Sequence, residues 1–175
     1  MATRKLVPIA DNEGGIGTAL KQWASGWIKI FTCTYRVITT GLADAEYCGD
    51  TMEGTAGATL AFGDCCYFKA SDSQWYLAQA DVTETSGIVK LGMCVLAAND
   101  NDPTRMLLRG NIRANSKFPS FSPLSGQIYL SAASAGLVTS AAPAGTTDFV
   151  VRTIGRANTA DELFFNPSED YVELA

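Results

Sequence analysis

The 175 residues contain no histidine. Its absence removes the commonest general base and the commonest metal ligand, and with them every Ser-His or Cys-His arrangement for nucleophilic catalysis. Charge is scarce as well: Asp, Glu, Lys and Arg make up 18% of the chain, against about a quarter in ordinary domains. The charge that is present leans acidic, with a formal net of -5, which argues against a nucleic-acid partner because gripping phosphates takes clustered Lys and Arg. No apolar run approaches the roughly 18–20 residues of a membrane span, so no membrane partner is expected. The first residues lack the apolar stretch of a signal peptide, and the expected site of synthesis is a reducing cytoplasm. Paired cysteine spacing is also missing. The five cysteines, Cys33, Cys48, Cys65, Cys66 and Cys94, are odd in number and lack any CxxC, which describes neither a disulfide framework nor a zinc site. They read as structural thiols behaving as small hydrophobes. Cys65 and Cys66, adjacent in a strand, should point to opposite faces, one buried and the other exposed.

What the chain does have is 47% hydrophobic residues, many of them β-branched or aromatic and set among Ala, Gly, Ser and Thr. The length suits one domain with a real core. Residues 1–26 read as an extended N-terminal arm ending in a short helical turn. Pro8 removes a backbone donor and holds Val7 in extended geometry, and Thr18 is placed to cap the turn through Trp23. Leu6, Val7, Pro8 and Ile9 are the apolar anchors with which such an arm would hold a neighbour. Residues 27–175 read as a β domain, starting with a Trp27–Thr39 strand apolar on both faces. A loop-rich connector follows over residues 40–60, with short strands at Glu46–Cys48 and Ala58–Ala61.

Two halves, about 60–112 and 124–170, are weakly similar. Gly63-Asp-Cys-Cys-Tyr-Phe lies on Gly126-Gln-Ile-Tyr-Leu-Ser, Ile88-Val-Lys-Leu-Gly92 on Val150-Val-Arg-Thr-Ile-Gly155, and Met106-Leu-Leu on Leu163-Phe-Phe. Each half reads as two hairpins with small-residue turns. The expected fold is therefore all-β: a small barrel or a two-sheet sandwich of short antiparallel strands, closed so that strand edges are hidden.

Motifs that would carry chemistry fail on detail. Gly14-Gly-Ile-Gly-Thr-Ala-Leu20 lacks both the Gly-Lys-Ser/Thr of a phosphate loop and the third glycine of a dinucleotide fingerprint. Asn99-Asp-Asn-Asp-Pro103 opens like a calcium loop, but an EF-hand needs glycine at its sixth position and glutamate at its twelfth; a hairpin tip fits better. The acidic pairs Asp44 with Glu46 and Glu169 with Asp170 sit in turns, where solvated carboxylates are the rule. No catalytic residue, cofactor or metal ligand is assigned. Trp75 and Tyr76 follow a Ser-Asp-Ser turn on a strand, so that one ring faces in and the other out. They are the candidate exposed contact surface, for a subunit or for a sugar.

The opening Arg4-Lys-Leu-Val-Pro-Ile-Ala-Asp-Asn-Glu-Gly-Gly-Ile-Gly-Thr-Ala-Leu-Lys-Gln-Trp23 resembles the start of many tailed-bacteriophage fibre and decoration proteins. In those, a basic residue usually stands where this chain has Ile9. The Leu107-Leu-Arg-Gly-Asn-Ile112 segment and the Phe165-Asn-Pro-Ser-Glu-Asp-Tyr-Val-Glu173 ending are similar to a β module of phage structural proteins. The resemblance implies a non-enzymatic virion component, usually a homotrimer, whose partner is the major capsid protein or another virion protein. It implies a capsid decoration (cement) protein, since no coiled-coil or collagen-like shaft is present. A tail fibre or spike contacting a host receptor is the alternative, and a particle-borne polysaccharide-degrading enzyme is the alternative of another class.

Overall fold

The computed structural model describes residues 37–175, and the arm residues Leu6, Val7, Pro8 and Ile9 lie outside them, as does most of the Trp27–Thr39 stretch. The described part of that stretch, Val37–Thr39, is not a strand. The fold is all-β. Its centre is the hairpin of β4 (Leu91–Leu96) and β5 (Pro103–Arg113). The Asn99–Asp102 turn between them has Asn101 at φ 66° and is braced by Gln74 Nε2 donating to Asn101 Oδ1 at 2.9 Å. The residues that open like a calcium loop thus form a hairpin tip.

One edge of β5 pairs along its whole length with β1 (Glu46–Ala56). Its other edge is divided. Arg105 to Leu107 pair with β4, and Gly110 to Arg113 pair with β10 (Glu162–Phe165). From β4 the sheet continues through β2 (Cys65–Lys69) to β3 (Gln74–Leu77), and β3 returns to β1 in a short parallel pairing. Strands β1, β3, β2, β4 and β5 therefore close into a five-stranded barrel. From β10 a second run goes through β9 (Thr153–Ala157) and β6 (Gln127–Leu130) to β7 (Val138–Thr139). The order β3-β2-β4-β5 on one side is built with the same antiparallel connections as β7-β6-β9-β10 on the other. Two short strands, β8 (Val150–Val151) and β11 (Val172–Glu173), pair separately, and one helical turn, α1 (Thr83–Ser86), sits between β3 and β4. Among the described residues all ladders are antiparallel except β1–β3.

Strand β1 corrects the reading of residues 40–60 as a connector with two short strands. Gly49, Asp50, Glu53 and Gly54 are poor strand formers by themselves, but pairing with β5 over the full length supplies what local propensity withholds. The strands meet most closely where Gly49 faces Gly110. A Cβ on Gly110 (φ 147°) would run into the Cys48 carbonyl oxygen and stand 2.7 Å from the Gly49 Cα. Opposite the Asp50–Thr51 step, Leu108 of β5 is left out of the pairing as a bulge, bending β5 so that the barrel can close.

There are two cores. Ala56, Cys66, Trp75, Cys94 and Met106, one from each barrel strand, fill the barrel interior with Phe68 and Leu77. Cys65, Met93, Leu107 and Ile112 on the outer wall pack against Ile128, Ile154, Leu163 and Phe165 of the second run. Strands β2, β4 and β5 are thus covered on both faces, as the continuous apolar runs of β2 and β4 require. This corrects the expectation for the cysteine pair: Cys65 and Cys66 do point oppositely, but each faces a core and both are fully buried.

Candidate interaction surface

The two aromatic candidates separate. Trp75 is fully buried and packs edge-on against Phe68 at 5.3 Å between centroids. It cannot belong to an exposed contact surface, because closure of the barrel turns its face of β3 inward. Gly54 on β1 leaves the space it needs, since a Cβ there would stand 2.6 Å from the indole Nε1. That Nε1 is buried without a hydrogen-bond partner. Tyr76 faces outward over Gly57, where a Cβ would overlap its ring. Its hydroxyl donates to Asp72 Oδ2 at 3.0 Å, and the Lys69 ammonium lies 5.0 Å from the ring centroid. Desolvation and the Asp72 carboxylate together raise the Tyr76 phenol above its ordinary value. The ring is therefore fixed in a surface cluster beside its cross-strand neighbour Tyr67, with the ring centroids 6.0 Å apart and the planes at 33°.

The carboxylates suspected as acid–base pairs hold backbone. Asp44 Oδ1 accepts from Asn115 N at 2.8 Å, and Glu46 Oε2 from Ala43 N at 2.8 Å. Glu169 and Asp170 are exposed near the C-terminal end. Two buried carboxylates unremarked in the sequence are also structural. Asp64 joins Lys117 Nζ at 2.6 Å and accepts from Ala61 N. Glu162 accepts from Leu42 N at 2.9 Å, while its cross-strand neighbour Arg113 donates to Leu42 O at 3.1 Å. A pair of opposite charges thus grips both backbone groups of one residue and fastens the entry segment to β5 and β10. Burial pushes the Cys65 thiol up to about 12, and the Cys66 and Cys94 thiols are also raised by burial, so none is an activated nucleophile. Among the described residues no three His, Cys, Asp or Glu side chains are grouped to hold a metal ion.

Another outward feature, held from behind by buried hydrogen bonds, lies after α1. Ser86 Oγ donates back to Val82 O at 2.7 Å and Thr85 Oγ1 to Gln79 O at 2.7 Å, winding residues 82–86 into a single turn. The chain then passes through Gly87, Ile88 and Val89 before β4 begins. Behind it sits Arg152, itself 6% exposed. Its Nη1 donates to the carbonyls of Ser86 (3.1 Å), Val89 (2.9 Å) and, more closely, Gly87, and its Nε donates to Ser168 O at 2.7 Å. Desolvation lowers the guanidinium from its ordinary value, opposed by the charge of Glu169. The product of this clamp is Ile88, 89% exposed at the crest of the turn.

Ile88 and Val89 form a ridge between two open hollows. One, of about 440 Å³, is bordered by Tyr67, Phe68, Lys69 and Lys90, with Glu84 at its margin. The other, of about 400 Å³, is bordered by Arg152 and Glu169. Beyond lies an acidic shelf of Glu84, Asp148 and Glu173 beside Val82, and Tyr171 and Val172 add exposed apolar area on the adjoining C-terminal segment. An exposed apolar feature rimmed by charge is the mark of a contact surface.

Sequence reasoning missed both Ile88 and Arg152, placing Ile88–Gly92 in a strand that begins only at Leu91. The available signal was Arg152 itself, a lone cation in the apolar run Val150-Val-Arg-Thr-Ile154, which must find carbonyls if the run is buried. No family model, curated protein or solved structure matches the chain.

Proposed function

We propose that this chain is a non-enzymatic structural protein of a tailed-phage particle, acting as a trimeric decoration (cement) protein on the assembled head. The observation that carries the reading is the division of labour among the described side chains. The buried carboxylates, thiols and the Arg152 guanidinium are engaged in packing or in holding backbone, and the rigidly presented outward group is an aliphatic one. Such a surface binds and does not react. The likeness of Arg4–Trp23 and of the Phe165–Glu173 ending to phage virion proteins supplies the setting. A protein that binds the closed shell and not its free subunits stabilises the shell by mass action, and several copies acting together add avidity. Leu6, Val7, Pro8 and Ile9 are the proposed capsid contacts.

Immunogold electron microscopy of intact particles, with antibody against residues 60–175, tests the reading. Gold spread over the head is the expected result. Gold confined to the tail replaces decoration with the fibre or spike reading, and unlabelled particles overturn a virion role altogether. Deleting residues 1–12 is expected to release the protein from heads while its fold persists; full decoration by the truncated protein would remove the arm from the mechanism.

A further inference from the structure

We propose that the Ile88 ridge is where this chain binds a second copy of itself, with Ile88 seated in the neighbour's hollow and Lys90 facing the neighbour's Glu169. The inference rests on the reading of the protein as a self-assembling structural component, and it names the surface and the charge register of that assembly.

Three observations converge on it. The first is preorganisation. A flexible apolar side chain loses conformational freedom on binding, whereas a crest already fixed from behind loses little. Arg152 fixes this one, taking three carbonyls of residues 86–89 on a single nitrogen and tying them to Ser168. A buried guanidinium surrounded by carbonyls stabilises that turn and, through it, the position of Ile88.

The second is shape. The ridge has an open hollow on each side, and both hollows share Ile88 and Val89 as a wall. A surface that carries a knob and a groove side by side can receive a copy of itself, ridge to hollow, in a ring or a pair.

The third is charge, and it selects the occupant. On one flank, which Glu84 also borders, Lys69 is held by Asp72 at 3.2 Å, and Lys90, its ammonium 5.6 Å from the Phe68 ring centroid, is in no ion pair among the described residues. On the other flank stands Glu169, also exposed and in no ion pair among the described residues, with Asp148 and Glu173 beyond. A basic peptide would suit the glutamate flank and be repelled at Lys90, and an acidic partner would meet the reverse. A second copy offers each flank its opposite, and complementary fields of this kind fix register as well as rate.

The experiment is sedimentation equilibrium of the full chain at low and high salt, for the wild type and four variants. The wild type is expected to self-associate. Ile88→Asp is expected to weaken association at least about a hundredfold, by placing a charge in an apolar contact, while its circular dichroism and urea midpoint stay unchanged because the side chain is exposed. Lys90→Glu and Glu169→Lys should each weaken association about tenfold, and the double exchange should restore it. A wild type that stays monomeric, an Ile88→Asp chain that assembles like the wild type, or a double exchange no better than the single ones overturns the proposal. Failure here is separable from failure of the virion reading. Ile88→Asp oligomers that still label phage heads sink the ridge and leave the function standing. Ridge-dependent assembly of a protein absent from particles does the opposite.

Discussion

Replacing Arg152 with methionine keeps an unbranched apolar stem and removes the donors. The loss can be worked from the structure. Ser86 and Gly87 are buried; the Gly87 carbonyl would keep its bond from Val89 N at 2.9 Å, but the Ser86 carbonyl would be left unsatisfied, at about 1–3 kcal/mol. Val89 and Ser168 are half-buried, and water can replace the donor there at small cost. Against this, a desolvated cation disappears, which is favourable. The balance is a net loss of about 2 kcal/mol, concentrated in the turn that carries Ile88. Urea unfolding measures the total, and amide hydrogen exchange at Gly87 and Val89 measures its location. Arg152→Lys should recover part of the loss, because an ammonium can reach the 86–89 carbonyls but cannot also span to Ser168. If Arg152→Met costs less than about 1 kcal/mol on the urea scale and leaves exchange at both amides unchanged, the guanidinium is not what holds the turn.

Alkaline stability should expose the buried thiols. An unfolded thiol titrates near 9.0 and folded Cys65 near about 12, so between those values the folded chain binds the extra proton. The contribution is complete below pH 9 and is lost as pH rises toward 12, by about 1.4 kcal/mol per pH unit for each such thiol. Urea melts from pH 8 to 10.5 should show the decline, with a shallower slope in Cys65→Ala; equal slopes would contradict it. Trp75→Ala should lose about 3–5 kcal/mol from the barrel core and reduce any binding only through unfolding. Tyr76→Ala should leave the urea midpoint nearly in place, and a stable Trp75→Ala protein would return Trp75 to the surface.

The all-β character was legible because runs such as Cys65–Lys69 and Leu91–Leu96 are dense in residues that fit a pleated, covered surface. The same signal misled at residues 87–90, where Gly-Ile-Val-Lys has strand composition but Arg152, more than sixty residues later in the chain, bends the backbone outward. Strand β1 was hidden for the converse reason. Its glycines and carboxylates look like loop, and only the partner strand β5 makes them a strand. Trp75 and Tyr76 alternate as any strand does, but which ring lies inside depends on ring closure through β1, a long-range pairing that no local window contains. The candidate contact surface was almost invisible, because Ile88 matters through its exposure and exposure is decided by the whole fold.

The shared strand β5 also sets a schedule for synthesis. Of the described strands β1 leaves the ribosome first, yet its full-length partner begins at Pro103, close to sixty residues after Glu46. At about 5–20 residues per second, β1 waits roughly 3–12 seconds for that partner, with only its Thr55–Ala56 end met earlier by β3. The carboxylates Glu46, Asp50 and Glu53 that obscured it as a strand keep such an edge from pairing with another nascent chain. When β5 emerges it closes the barrel and leaves half of its other edge, Gly110–Arg113, open until β10 arrives. A ribosome stalled between the two would hold a finished barrel with one unpaired ledge, and that ledge is where chains on neighbouring ribosomes of a polysome would first catch on each other.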